Sequence, residues 1–250
     1  MFSLLLIVPA DLEDILIADL QELGTLGITG ENGGLRAFFE NADPAALLER
    51  FRAFLPELRE EPDTDWERHT HEAWPPLPVG ERFFLVAPWD EAAPAPPGRL
   101  RLEIYPGMAC GTGRHPATQL CLQAMERYVK AGAQVLDVGS GSGILSDAAR
   151  LLGAGAIVAC DIDPDAIVIA RERVPVPMFV GSAGAVRSQW ADVIVANIDA
   201  ATLEWIAPEL ERVRKPHSTL ILSGFPEDDA PEGFAVRASL RQDGWLCLIA

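Results

Sequence analysis

Residues 135–143 read Val135-Leu136-Asp137-Val138-Gly139-Ser140-Gly141-Ser142-Gly143. An apolar strand runs into a glycine turn, and the turn opens a helix over 144–152. Glycine lets the backbone bend sharply and lets a ligand approach where a Cβ would otherwise stand. A glycine loop alone is a weak signal, but three details narrow it here. The spacing is Gly139-x-Gly141-x-Gly143 followed by Ile144, where a dinucleotide fingerprint wants glycine or alanine packed under a pyrophosphate. Asp137 sets a carboxylate before the turn, which opposes a diphosphate and suits a cationic ligand. Ala159-Cys160-Asp161-Ile162-Asp163-Pro164 then ends the next strand on an acid, and a carboxylate there accepts both hydroxyl protons of a ribose. Together these features favour a nucleoside that carries positive charge, S-adenosylmethionine. NAD is the competing ligand. The plain structural alternative is a tight strand–helix turn with Asp161 capping the next helix.

Outward from this core the pattern alternates. Strands are expected at Gln134–Val138, 156–160, 176–180, 192–196 and 219–222, with helices over 144–152, 165–173 and Ala200–Val213. Near-continuous apolar strands between amphipathic helices mean an α/β fold with a parallel sheet covered on both faces. An antiparallel pair over 234–239 and 244–249 closes one edge. Residues 1–55 read strand, helix, strand, strand, helix, with a hairpin turn at Glu31-Asn32-Gly33-Gly34 and a helix from Asp43-Pro44 through about Leu55. Residues 56–100 hold 9 of the 20 prolines, together with Trp66, Trp74 and Trp89, so regular structure there is expected to be short. The tryptophans serve either as anchors of an irregular segment or in substrate contact. The expected organisation is a small α/β domain (1–60), a Pro/Trp-rich connector (61–100) and a cofactor-binding domain (101–250).

The chain has 250 residues, and 20 Lys+Arg against 37 Asp+Glu give a net charge of −17. A field of that sign repels phosphate backbones and anionic membranes, so the expected partner is a basic protein, with no direct nucleic acid and no membrane. Cys110, Cys121, Cys160 and Cys247 show neither a CxxC pair nor zinc-ligand spacing and read as buried, reduced thiols. The apolar run 2–8 is short, lacks a basic lead and meets Asp11, Glu13 and Asp14, so it is read as neither signal peptide nor membrane span. A cytoplasmic monomer is expected, and no metal site: His69 and His71 lie in an acidic stretch without partners of ligand spacing.

A second run, Pro106-Gly107-Met108-Ala109-Cys110-Gly111-Thr112-Gly113-Arg114-His115-Pro116-Ala117-Thr118, precedes the glycine loop, and Ala191-Asp192-Val193-Ile194-Val195-Ala196-Asn197-Ile198 follows it. With these motifs the chain resembles the ribosomal protein L11 methyltransferase family. Its runs read P-G-x-A-F-G-T-G-x-H-x-T-T, D-x-G-x-G-S-G-I-L, D-I-D-P and V-A-N-I. The match spans about residues 65–225 and includes Asp65-Trp66 and Pro88-Trp89. Cys110 and Ala117 stand where the family has phenylalanine and threonine, and Pro175 and Pro177 replace its Asn-Gly turn. The resemblance implies a class I methyltransferase with a Rossmann-like, mostly parallel seven-stranded sheet and a small N-terminal α/β domain. It further implies S-adenosylmethionine as cofactor and amino groups of L11 as methyl acceptors. The family's cofactor contacts fall on Thr118, Gly139, Asp161 and Asn197, and the turn adds Gly141 and Gly143.

The resemblance implies that Asn197 sits where the methionine part of the cofactor meets the target nitrogen. A lysine amine has a reference pKa of about 10.4 and reacts only when neutral, which burial in an apolar pocket favours. A neutral carbonyl acceptor, the Asn197 side chain, aims the lone pair without stabilising the ammonium, and a helix cap is its structural alternative. His115 reads as a loop-fixing residue ahead of a base, because displacement by a neutral amine needs none. Alternatives are a methyltransferase of the same fold acting on another protein or a small molecule, and a non-catalytic methyltransferase-like binding module.

Overall fold

The computed structural model describes residues 1–8, 13–31, 34–60, 74–90, 94–104 and 113–250. The helix start at 9–11, the turn at 32–33, Trp66, His69, His71 and most of the glycine-threonine run, Cys110 included, lie outside the described residues. The chain divides into two compact units, Met1–Thr70 and His71–Ala250.

In the first unit, strands β1 (Phe2–Ile7), β2 (Gly27–Glu31), β3 (Gly34–Phe39) and β4 (Glu57–Glu60) form an antiparallel sheet in the order β2-β3-β1-β4. Alternation decides its faces. Leu4 and Leu6 of β1 and Leu35, Ala37 and Phe39 of β3 bury one side against Leu16 and Leu20 of α1 (Glu13–Glu22) and Leu47 of α2 (Pro44–Arg50). On the other side Arg36 is buried and donates from Nη1 to Ser3 Oγ at 2.9 Å. Asp43 starts α2 by accepting the Ala45 N–H at 3.0 Å. The helix stops at Arg50, short of the expected Leu55, because Phe51 leaves helical geometry and Leu55 turns to φ +50°.

The second unit begins inside the proline-rich stretch. Strands β5 (Leu77–Val79), β6 (Phe83–Val86) and β7 (Leu100–Glu103) form a small sheet that sequence periodicity could not separate from loop. Their side chains Val79, Phe83, Leu85 and Leu102 share a core with Leu120, Leu122 and Met125 of α3 (Pro116–Tyr128). The Glu126 carboxylate of α3 pins the strip by accepting backbone N–H groups of Glu81 (2.9 Å), Arg82 (2.8 Å) and Phe83 (3.3 Å).

The main sheet comprises β8 (Gln134–Val138), β9 (Ala156–Asp161), β10 (Met178–Val180), β11 (Ala191–Asn197), β12 (Arg214–Pro226), β13 (Ala238–Gln242) and β14 (Trp245–Ile249). Its order is β10-β9-β8-β11-β12-β14-β13; the first five strands run parallel, and β14 pairs antiparallel with both neighbours. This is the expected mostly parallel seven-stranded sheet. On β11, Val193 and Val195 face α3 and α4 (Ile144–Leu151), whereas Ile194 and Ala196 face α6 (Ala200–Val213). Helix α6 buries Leu203, Ile206, Leu210 and Val213, and each such side chain contributes roughly 1.5–3 kcal/mol. Helix α5 (Pro164–Arg173) covers β9 and β10 through Ile167 and Ala170.

Two strands of this sheet differ most from expectation. The strand expected over 234–239 begins only at Ala238, because a tight turn from Val236 N–H to Phe234 C=O (3.0 Å) breaks the extension before it. Strand β12 is far longer than 219–222: a register shift between Leu222 and Phe225, with Gly224 at φ +105°, carries it on to Pro226.

Candidate active site

Parallel strands deliver the loops after β8, β9, β10 and β11 to one edge of the sheet, the edge at which open α/β sheets bind ligands. A cleft of about 360 Å³ opens there, lined among others by Gly139, Gly141, Asp161, Asn197, Asp199 and Trp205.

The glycine turn forms its floor. Gly139 and Ser140 donate their N–H groups to Cys160 C=O at 2.8 and 3.1 Å, which ties the turn to the end of β9. Gly139 has φ +73°, and a Cβ there would lie 2.4 Å from Ile198 Cγ2, so only glycine fits. Gly141 donates to Asp161 Oδ2 at 2.8 Å, and Asp163 donates its N–H to Asp161 Oδ1 at 3.0 Å. Backbone donors therefore fix the Asp161 carboxylate, while each oxygen keeps a lone pair for a sugar hydroxyl. Gly143 does not line the cleft; it precedes α4 as its N-cap and packs toward Ala170 and Val174.

Beneath the turn, Asp137 is fully buried and burial raises its pKa to about 6. Ser146 Oγ donates to its Oδ2 at 2.6 Å, which partly offsets the burial, and Oδ1 has no partner among the described residues. Ser140 Oγ, in the turn itself, is buried and equally unpartnered. Two orphaned polar atoms at a glycine turn suit a ligand that brings both hydrogen bonds and positive charge.

At the far side, Asn197 ends β11 and donates from Nδ2 to Thr118 Oγ1 at 3.0 Å. This joins two residues 79 positions apart and points the amide's donor end away from solvent, leaving its Oδ1 free to accept. Ile198 is held in turn by its N–H to Ser223 C=O at 2.9 Å. His115 caps α3: its Nδ1 accepts the Ala117 N–H at 3.3 Å, and its ring meets Trp245 edge-on at 4.3 Å between centroids. These contacts are those of a helix cap. Cys121, Cys160 and Cys247 are buried free thiols, and burial pushes the Cys160 thiol up to about 12.

Sequence reading missed Asp199 and Trp205. Asp199 caps α6, accepting from Thr202 N (2.9 Å) and Thr202 Oγ1 (2.6 Å), and these bonds hold its carboxyl below the usual range. The capping signature Asp199-x-x-Thr202 was legible, but its place on the cleft was not. A second hollow, lined among others by Arg101, Glu103, Asp147 and Arg150, carries the Arg101–Glu103 and Arg150–Asp147 ion pairs at 2.5 and 2.8 Å. Among the described residues no group of three or more His, Cys, Asp and Glu side chains could hold a metal ion, and no helix is long and apolar enough to cross a membrane.

A 3-2-1-4-5-7-6 arrangement of the sheet strands, a glycine turn after the first, a fixed carboxylate after the second and an amide after the fourth define a class I S-adenosylmethionine-dependent methyltransferase. Residues 30–250 match the family described as Ribosomal protein L11 methyltransferase (PrmA). A ribosomal protein L11 methyltransferase of Bordetella bronchiseptica is 39% identical over 236 residues, covering 84% of this chain and 77% of its own. Another, of Azotobacter vinelandii, is 36% identical over 244 residues, covering 90% and 83%. A crystal structure of ribosomal protein L11 methylase from Lactobacillus delbrueckii subsp. bulgaricus superposes with TM-score 0.61 at 26% identity, covering 70% of this chain and 96% of that one. The chain belongs to the ribosomal protein L11 methyltransferase family.

Proposed function

We propose that this chain methylates amino groups of ribosomal protein L11, on lysine side chains or the N-terminal amine. The observation that carries the reading is the Asn197–Thr118 hydrogen bond, because it fixes a neutral amide with its carbonyl free at the end of the fourth parallel strand. S-adenosylmethionine supplies, when bound, a methyl group made electrophilic by its sulfonium. Asp161 holds the ribose hydroxyls, Gly139, Gly141 and Gly143 shape the turn beneath the nucleoside, and Thr118 meets the amino-acid end. Asn197 Oδ1 accepts a hydrogen bond from the entering amine and orients its lone pair. Enclosure in an apolar cleft favours the neutral amine, so no strong base is required. Alignment of this kind contributes several kcal/mol, up to about 7–11 in the best cases.

Residues 1–60 serve in this reading as the substrate-capturing domain, with 61–100 as connector and 101–250 as the methyltransferase domain. The net charge of −17 favours a basic protein partner and disfavours direct contact with nucleic acid or anionic membrane. The enzyme acts as a cytoplasmic monomer. The test is incubation of the purified chain with labelled S-adenosylmethionine and unmethylated L11, read by mass. Mass increments of one methyl or its multiples on L11 are expected; an unmodified L11 with cofactor bound refutes the substrate assignment.

A further inference from the structure

Two large apolar side chains stand in water on the cleft: Ile162 is 79% exposed and Trp205 80%. Exposed apolar residues scattered singly are ordinary, but a pair on the rim of one binding cleft is a contact surface. The fold explains how Trp205 comes to the rim. On α6 the residues facing the core are Leu203, Ile206, Leu210 and Val213. Thr202 and Trp205 lie on the flank beside that stripe, and both line the cleft. One turn further on, Glu209 clasps the loop after β10, accepting from Ser182 Oγ (2.5 Å) and Gly184 N (2.7 Å). Asn197 at the end of β11 and Gly181 and Ser182 after β10 line the same cleft as Trp205. No hydrogen bond, ion pair or ring contact among the described residues engages its indole.

Carboxylates outnumber cations on this helix, and its one arginine, Arg212, is engaged with the carbonyls of Ala183, Gly184 and Val186. Residues 197–211 contain four carboxylates and no lysine or arginine. Asp199, the cap of the helix, lines the same cleft, and Glu204 directly precedes Trp205; Glu204 accepts the Glu232 N–H at 2.8 Å, which holds it at the surface. An exposed indole amid carboxylates attracts a lysine or arginine side chain twice, through its ring face and through the local field. Tryptophan is also the residue type most often found as an energetic centre of protein contacts.

We infer that Trp205 is a substrate-docking residue: its ring receives a basic side chain or its aliphatic stem from the segment of the protein acceptor that flanks the target amine. This rests on the proposed reading of the acceptor as a basic protein and adds a residue that selects it. Ile162 supplies the opposite apolar lip.

The experiment compares wild type, Trp205→Ala and Trp205→Phe in steady-state methylation of intact L11, with S-adenosylhomocysteine affinity measured separately by calorimetry. For Trp205→Ala the KM for L11 rises about tenfold, while kcat and S-adenosylhomocysteine affinity stay within twofold. Trp205→Phe keeps a ring face and recovers KM to within threefold. Trp205→Lys, which opposes a cationic partner, raises KM further than alanine does. An unchanged KM in all three variants overturns the inference and leaves the methyltransferase reading standing. A weakened S-adenosylhomocysteine affinity with unchanged KM for L11 also overturns it, assigning the ring to the cofactor's base. Wild type that binds S-adenosylhomocysteine yet transfers nothing to L11 overturns the functional reading, and this inference with it.

Discussion

The buried carboxylate of Asp137 gives the cofactor domain a pH dependence that can be worked through. Its pKa is about 6 in the folded chain, against 3.8 when solvated. The folded state therefore binds the proton more tightly, and between these values the native chain holds a proton that the unfolded chain has released. Stability falls as pH rises through that window and is flat above it. The span of about two pKa units corresponds to roughly 3 kcal/mol, at 1.36 kcal/mol per unit. About half of this falls between pH 5 and 7.5, clear of the pI near 4.5 where solubility is lowest. Asp137→Asn removes the titration and keeps an acceptor for Ser146. Its own packing cost is independent of pH and cancels from the comparison. Urea unfolding of the ligand-free wild type and Asp137→Asn should thus give stabilities whose difference shifts by about 1.4 kcal/mol from pH 5 to 7.5, the wild type losing ground as pH rises. Parallel stability curves across that range refute the assignment of a buried, titrating carboxylate beneath the glycine turn.

Other outcomes follow from the same geometry. Asn197→Ala removes the acceptor for the entering amine and lowers kcat on L11 by about 10²-fold, the scale of loss expected when a reacting group is misplaced; turnover within twofold of wild type removes Asn197 from the mechanism. Gly139→Ala sets a Cβ 2.4 Å from Ile198 Cγ2 at φ +73°, so S-adenosylhomocysteine affinity falls at least tenfold, with a stability loss of about 1–3 kcal/mol, read by calorimetry and thermal unfolding. Glu126→Ala leaves three backbone N–H groups of the strip 81–83 without their acceptor and lowers stability by about 1–3 kcal/mol. An unshifted melting temperature there means water replaces the carboxylate at no cost.

Much of the cofactor domain is legible from local pattern. The apolar run between Asp192 and Asn197 forms the strand expected there, and helix Ala200–Val213 has the boundaries its apolar spacing predicts. The short strands β5, β6 and β7 are not legible, because three or four residues among prolines carry no period; they form where their side chains pack on α3 and Glu126 of that helix accepts the N–H groups of residues 81–83. The length of β12 is equally hidden, since a bulge at Gly224 depends on the neighbouring strand.

The site divides in the same way. Residue order alone determined the glycine turn, the acid after the second strand and the asparagine after the fourth, because each motif is contiguous and its backbone demands are local. It also determined the net charge of −17. Only the folded chain decided that Asn197 donates to Thr118, that Asp137 is left with an orphaned oxygen, that Gly143 supports a helix instead of lining the cleft, and that Trp205 stands in water on its rim. Those outcomes depend on which distant elements are brought together and how much water they exclude, and neither quantity is carried by any short stretch of the chain.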